Sequence, residues 1–192
     1  DWSSDVCSSD LTYFITSEVT NMNSMFSGCK SLRIIYLNNL NTSLVESMAN
    51  MFWDCYSLIS LDLSSFDTSK VKNMGHMFCN CESLLKLDLS NFDTSNNEYV
   101  DNMFIGCKNL TSLILPNLDT SKVINIDDIF SNCINLEYIN LKNYKYNSGI
   151  MFQSSVRESG KNLVLFYPEK AECVEVHPYE VNKIEISREE IV

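Results

Sequence analysis

The most reactive side chains of this 192-residue chain are eight cysteines, two histidines and a set of aspartates recurring at a fixed spacing. Cys29, Cys55, Cys81, Cys107 and Cys133 stand 26 residues apart, which raises disulfide or metal chemistry as the first question. A disulfide needs Cα atoms within about 7 Å, whereas cysteines on neighbouring helical elements would sit roughly 8–10 Å apart. Zinc sites usually draw on close pairs of the CxxC kind, and the closest pair here is Cys79 and Cys81. The column is therefore expected to be buried, each thiol acting as a small hydrophobe, with Cys79 and Cys173 left as the exposed thiols.

Other constellations are thinner. His76 and His177 lie far apart in sequence, and spacing assembles no Ser/His/Asp or Cys/His set around either. Gly is scarce and no Gly-rich phosphate loop occurs. Asp62 and Asp88 occupy the same strand position in adjacent repeats, which would set their carboxylates about 5 Å apart. A shared proton or a bound cation is conceivable there, but solvated carboxylates with Lys86 as a neighbouring partner are the expectation. The methionines at 22, 25, 48, 51, 74, 77 and 103 have helical spacing that turns them inward. No catalytic residues, no cofactor and no metal site are expected, and hence no enzyme.

What positions these residues is a repeat of 26 residues that runs without a gap. Phe26, Phe52, Phe78, Phe104 and Phe130 form one column, and Leu32, Leu58, Leu84, Leu110 and Leu136 another. Five copies span residues 19 to 148, and Phe14, Thr16 and Ser17 match the tail of a preceding copy. Within a copy, Val71, Met74, Met77, Phe78 and Cys81 recur at steps of three and four and predict a short helix; Leu84, Leu87 and Leu89 then end on a step of two and predict a strand. Asp67-Thr68-Ser69 and its equivalents precede each predicted helix and suit its N-cap. The expected fold is an α/β, right-handed, leucine-rich-repeat-like solenoid. Its parallel strands would centre on 35–37, 61–63, 87–89, 113–115 and 139–141, with short helices on the other face.

The array is expected over residues 12 to 148, flanked by two segments of other character. Residues 1–11, DWSSDVCSSDL, resemble the translation of a sequencing adaptor and are set aside from fold reasoning. Residues 149–192 leave the period and are expected to form a C-terminal cap or the start of another module, with strands in NLVLFY, CVEV and NKIEI. The formal charge of −11 becomes −8 without the first eleven residues, which carry three Asp and no Lys or Arg. An acidic surface without a basic cluster argues against nucleic acid and against anionic membrane. No apolar run reaches the roughly 18 residues of a membrane span.

The segments NMNSMFSGCKSL, MANMFWDCYSLISLDLSSFDTSKV and NMGHMFCNCESLLKLDLSNFDTS resemble the BspA-like leucine-rich-repeat surface proteins. The resemblance covers about two thirds of the chain and implies a cell-surface or secreted location, with adhesion or cell contact as the role. The fourth copy departs from the pattern, with Asn97 for the repeated Val and Val100 for the repeated Met. The fifth loses the DTS turn at Lys145-Tyr146-Asn147.

Columns that repeat serve stacking, so a binding site is more plausibly written in columns that vary. On the strands the outward positions read Ile34, Ser60, Lys86, Ser112 and Tyr138 in one line, and Tyr36, Asp62, Asp88, Ile114 and Asn140 in the next. This strip is the candidate binding face for a protein or cell-surface ligand. A second hypothesis is an intracellular scaffold or the recognition arm of a larger protein, because seven cysteines without evident pairing suit a reducing cytosol.

Overall fold

In the computed structural model the described residues are 15–126, 128–140 and the backbone of two short strands beyond them. The LxxLxL segments form five strands: β1 (Ile34–Ile35), β2 (Ser60–Leu61), β3 (Lys86–Asp88), β4 (Ser112–Ile114) and β5 (Tyr138–Asn140). Within each sheet neighbouring strands pair in parallel at the 26-residue offset, Ile34 facing Ser60 and Lys86 facing Ser112, which in turn faces Tyr138. β1 and β2 make one sheet, and β3, β4 and β5 belong to a second. Each strand begins one residue before its expected span, and β2 and β3 end at a local cause. The Oδ1 atoms of Asp62 and Asp88 accept hydrogen bonds at 2.9 Å from the N–H groups of Ser64 and Ser90, and these Asx turns bend the chain out of the ladder.

The parallel sheet continues past the repeats. β6 (Val164–Phe166) pairs with β5, and Val164 faces Tyr138 at the same offset of 26, although the residues leading to it have lost the Phe and Cys columns. β7 (Glu185–Ile186) then pairs with β6 after a shorter interval, Glu185 facing Val164. The CVEV segment and residues 1–11 lie outside the described residues.

The expected helices are absent among the described residues, and a string of turns stands in their place. In the third copy the N–H groups of Met74, His76, Phe78 and Asn80 donate to the carbonyls of Tyr99, Asp101, Met103 and Ile105 in the next coil at 2.8–2.9 Å. The alternate N–H groups of Met77, Cys79 and Cys81 donate three residues back, to Met74, His76 and Phe78. The first two copies repeat this alternation of inter-coil and i−3 bonds. An α-helix would send every N–H four residues back. That path is blocked by two left-handed residues per coil, at Ser24, Asn50, His76, Asn102 and Asp128 and at Gly28, Asp54, Asn80, Gly106 and Asn132. Gly, Asn and Asp dominate these columns because they tolerate positive φ. The turn run returns side chains inward at steps of three and four, so its apolar pattern imitates a helix.

The core lies between the turn run and the strands. The Phe column stacks nearly face to face with an offset: ring centroids 5.4, 5.8, 5.4 and 5.5 Å apart from Phe26 through Phe130, with interplanar angles of 4–14°. Phe52, Phe78, Cys55, Cys81 and Leu87 are buried as expected, whereas Leu61 is only partly buried at the end of the two-stranded sheet. Met22, Met48, Met51, Met74, Met77 and Met103 are inside, and Met25 packs against the core from its margin.

Two polar columns tie the coils together from within. Buried Thr residues of the DTS turn and its equivalents bridge to the next coil: the Thr68 hydroxyl accepts from the Asp93 N–H at 2.8 Å and donates to the Asp93 carbonyl at 3.0 Å, and Thr16 and Thr42 repeat the arrangement. The DTS segments therefore cap no helix. Their Asp67, Asp93 and Asp119 side chains close Asx turns on the N–H of Ser69, Ser95 and Ser121.

Candidate binding surface

The strip written in the variable columns is distributed over the two sheets. Lys86, Ser112 and Tyr138 lie side by side across three strands, as do Asp88, Ile114 and Asn140, while Ile34 and Ser60 adjoin on the first sheet. Ile34, Tyr36, Ser60, Asp62, Lys86 and Asp88 are exposed; Ser112, Ile114, Tyr138 and Asn140 are half-buried. Tyr36 reaches furthest out, at 67 % exposure. Its end of the strip is apolar, the middle is charged, and the far end is mixed. Asp62 and Asp88 are each engaged by their own Asx turn, and the hydrogen bonds from Ser64 hold the Asp62 carboxyl below its ordinary range. The ion pairs described elsewhere on the array do not include Lys86, so the expected Lys86–aspartate partnership is not formed.

The cysteine column has a role that its spacing did not disclose. Each thiol donates to the carbonyl of the Phe in the preceding coil: Cys55 to Phe26, Cys81 to Phe52, Cys107 to Phe78 and Cys133 to Phe104, at 3.1–3.3 Å. These four are free thiols, as is Cys79, while Cys29 in the first coil is disulfide-bonded. Burial pushes Cys55 and Cys133 up to about 12 and raises Cys81 and Cys107 well above the usual thiol value, so all four remain protonated donors. Cys79, expected to be exposed, is buried, at 6 % exposure. The signal available in the sequence was the invariance of Cys in a column where Ala or Val would fill the same space.

Trp53 and Tyr99 are the exposed aromatic side chains on or beside the turn run among the described residues. Trp53 takes a position held by Ser27, Cys79, Ile105 and Ser131 in the other coils, and it is 41 % exposed. Its ring lies 6.4 Å from that of His76 at 56°, and the His76 Nδ1 atom is 3.6 Å from an Asp101 carboxylate oxygen. The neighbouring Asp54 accepts from the Asn80 amide at 2.8 Å and from the Tyr56 hydroxyl, a bond that raises the Tyr56 phenol above its ordinary value.

Among the described residues, no group of three His, Cys, Asp or Glu side chains is placed to hold a metal ion, and no helix is long and apolar enough to cross a membrane. A family model described as Mycoplasma protein of unknown function, DUF285, matches residues 3–114 and 84–158. No curated protein and no solved structure matches the chain.

Proposed function

Because the chain belongs to the family described as Mycoplasma protein of unknown function, DUF285, we propose its role from its geometry: it is a non-enzymatic repeat protein whose strand face binds a protein or cell-surface ligand. The observation that supports this reading is the register, which within each sheet sets variable positions of neighbouring coils side by side. The surrounding columns are spent on stacking. Exposed Tyr36 at one end supplies a large, stiff anchor, and the Asp62, Lys86 and Asp88 group supplies charge that discriminates between partners. A cell-surface or secreted location belongs to the same proposal, because adhesion requires it.

An intracellular scaffold is the second reading, favoured by the five free cysteines. That argument is weakened by the geometry, since four of the thiols are inaccessible donors to backbone carbonyls and would persist reduced in either compartment.

The test pairs two double variants in a cell-binding assay with labelled protein on intact cells. Tyr36→Ala with Tyr138→Ala removes the anchors, and Asp62→Asn with Asp88→Asn removes the charge while keeping an Asx-turn acceptor at each site. Loss of retention in the tyrosine pair supports the strand face. Wild-type retention by both, with unchanged thermal transitions, rejects it.

A further inference from the structure

Backbone hydrogen bonds join the described coils on two sides, the turn run and the strands, and at one junction the two sides differ. Between the second and third coils the turn run is unbroken. The N–H groups of Met48, Asn50, Phe52 and Asp54 donate to the carbonyls of Asn73, Gly75, Met77 and Cys79 at 2.9–3.0 Å, close to the 2.8–2.9 Å of the junction that follows. On the strand side β2 and β3 do not pair, and one sheet ends where the other begins. Just before these strands the Leu85 N–H reaches the Ile59 carbonyl only at 3.4 Å. The equivalent bonds at the other junctions, Ile59 to Arg33, Thr111 to Leu85 and Glu137 to Thr111, measure 2.9–3.0 Å. In the core, Phe52 and Phe78 are the most widely spaced pair of the ring stack, at 5.8 Å against 5.4–5.5 Å. Among the inward residues of the five repeat strands, Ile35, Leu87, Leu113 and Ile139 are buried, and Leu61 is not.

These departures fall on a single junction and spare its turn run. An interface that is continuous on one side and open on the other has the geometry of a hinge, with the continuous side as its axis. We propose that the array is hinged between its second and third coils: the turn run is the pivot, and the strand side opens and closes. Past the strands, side chains span the junction. The Thr68 hydroxyl bonds the Asp93 backbone, and the Asn91 amide donates to the carbonyls of Leu63 at 3.1 Å and Phe66 at 2.9 Å. Leu63 lies two residues beyond β2, so Asn91 closes the junction beside its open strands and acts as a latch. The hinge line divides the variable strip, with Ser60 and Asp62 on one side and Lys86 and Asp88 on the other. It therefore changes the spacing of those groups whatever the strand face binds, and it stands or falls independently of that reading.

Motion of packed bodies about a hinge falls on the μs–ms scale, which relaxation dispersion reads. The full-length chain is isotope-labelled at its Leu and Met methyl groups. Leu61, Leu63 and Leu87, on the open side of the junction, should share one exchange process. Leu113 and Leu115, beside paired strands, should give flat profiles, as should Met48 and Met77, whose backbones carry pivot bonds. Asn91→Ala removes the latch and should raise the population of the open state about threefold or more, the effect of one lost hydrogen bond. Asn117 holds the same repeat position in the next coil, at a junction whose strands are paired, and donates to the Ser90 carbonyl. Asn117→Ala should leave the exchange of Leu61 and Leu87 unchanged. Flat profiles at Leu61, Leu63 and Leu87 in the parent protein would overturn the hinge. Equal dispersion at Leu113 and Leu115 would do the same, by showing motion spread over the whole array. An Asn91→Ala protein that exchanges as the parent does, or no more than the Asn117→Ala protein, would also count against it.

Discussion

The side chains of this array divide into those that must be identical in every coil and those that are not. Phe78 touches the rings of both neighbours in the stack, so Phe78→Ala opens a cavity that neither coil can close; a loss of about 3–5 kcal/mol is expected in urea denaturation. Asn97 is the opposite case. It replaces the repeated Val, is fully buried, donates its amide to the Val71 carbonyl and leaves its Oδ1 without a partner. Asn97→Val restores the column and should raise stability by about 1 kcal/mol, read as a higher denaturation midpoint at unchanged slope. The buried thiols make a pH prediction. Their folded pKa values lie above those of the unfolded chain, with Cys55 and Cys133 near 12 against an ordinary 9.0. Their contribution is complete below the unfolded value and is lost as pH rises toward the folded one. The melting temperature should therefore fall from about pH 9 upward, more shallowly in a Cys55→Ala, Cys133→Ala variant. At neutral pH these thiols should resist alkylation until the protein unfolds.

At the scale of the element, the coil is held to its neighbours by three kinds of hydrogen bond: the strand ladder, the alternating bonds of the turn run, and the threonine bridges. The threonine is the part most easily isolated. Thr68→Val keeps shape but leaves the Asp93 N–H and carbonyl without their hydroxyl partner, and a loss of about 1–3 kcal/mol is expected. Thr68→Ser, which retains the hydroxyl, should recover most of it. If Val were as stable as the parent, the bridge would be incidental to stacking. The turn run also explains a compositional habit: Asn, Asp and Gly sit where the backbone turns left-handed, and a Cβ at Gly106 would stand 2.3 Å from the Asn80 side-chain oxygen.

For the whole molecule, each described coil meets only its neighbours, so stability should behave as a sum of coil and interface contributions. Excising residues 45–70 removes one coil and joins Leu44 to Val71, which holds the repeat position of Val45. The shortened protein should still unfold cooperatively, with a smaller denaturant slope in keeping with the smaller surface exposed. Excising half as many residues from the same point should abolish the transition, because every inward side chain then meets the wrong column. Two equally impaired deletions would show that register is not what organises the array.

The 26-residue period, the inward columns and the parallel pairing of successive repeats were legible in the chain itself, because each depends on identities recurring at a constant distance. Phe, Cys and Leu recur where every coil must meet the same neighbour. The helix was misread from Val71, Met74, Met77, Phe78 and Cys81 because an apolar step of three or four records only how often the chain faces inward. A run of turns does that as well as a helix does. What the backbone becomes is decided by where its N–H groups find acceptors, and half of those in the turn run find them one coil away, a choice visible only once the coils are stacked. The same reason hid the hydroxyl bridges of Thr42 and Thr68, the thiol bonds of Cys55 and Cys81, and the placing of Trp53 against His76 and of His76 against Asp101. Each joins residues about one repeat apart. Sequence determined which residues recur, and tertiary structure alone decided which of them touch, because contact between coils depends on the path of both backbones at once.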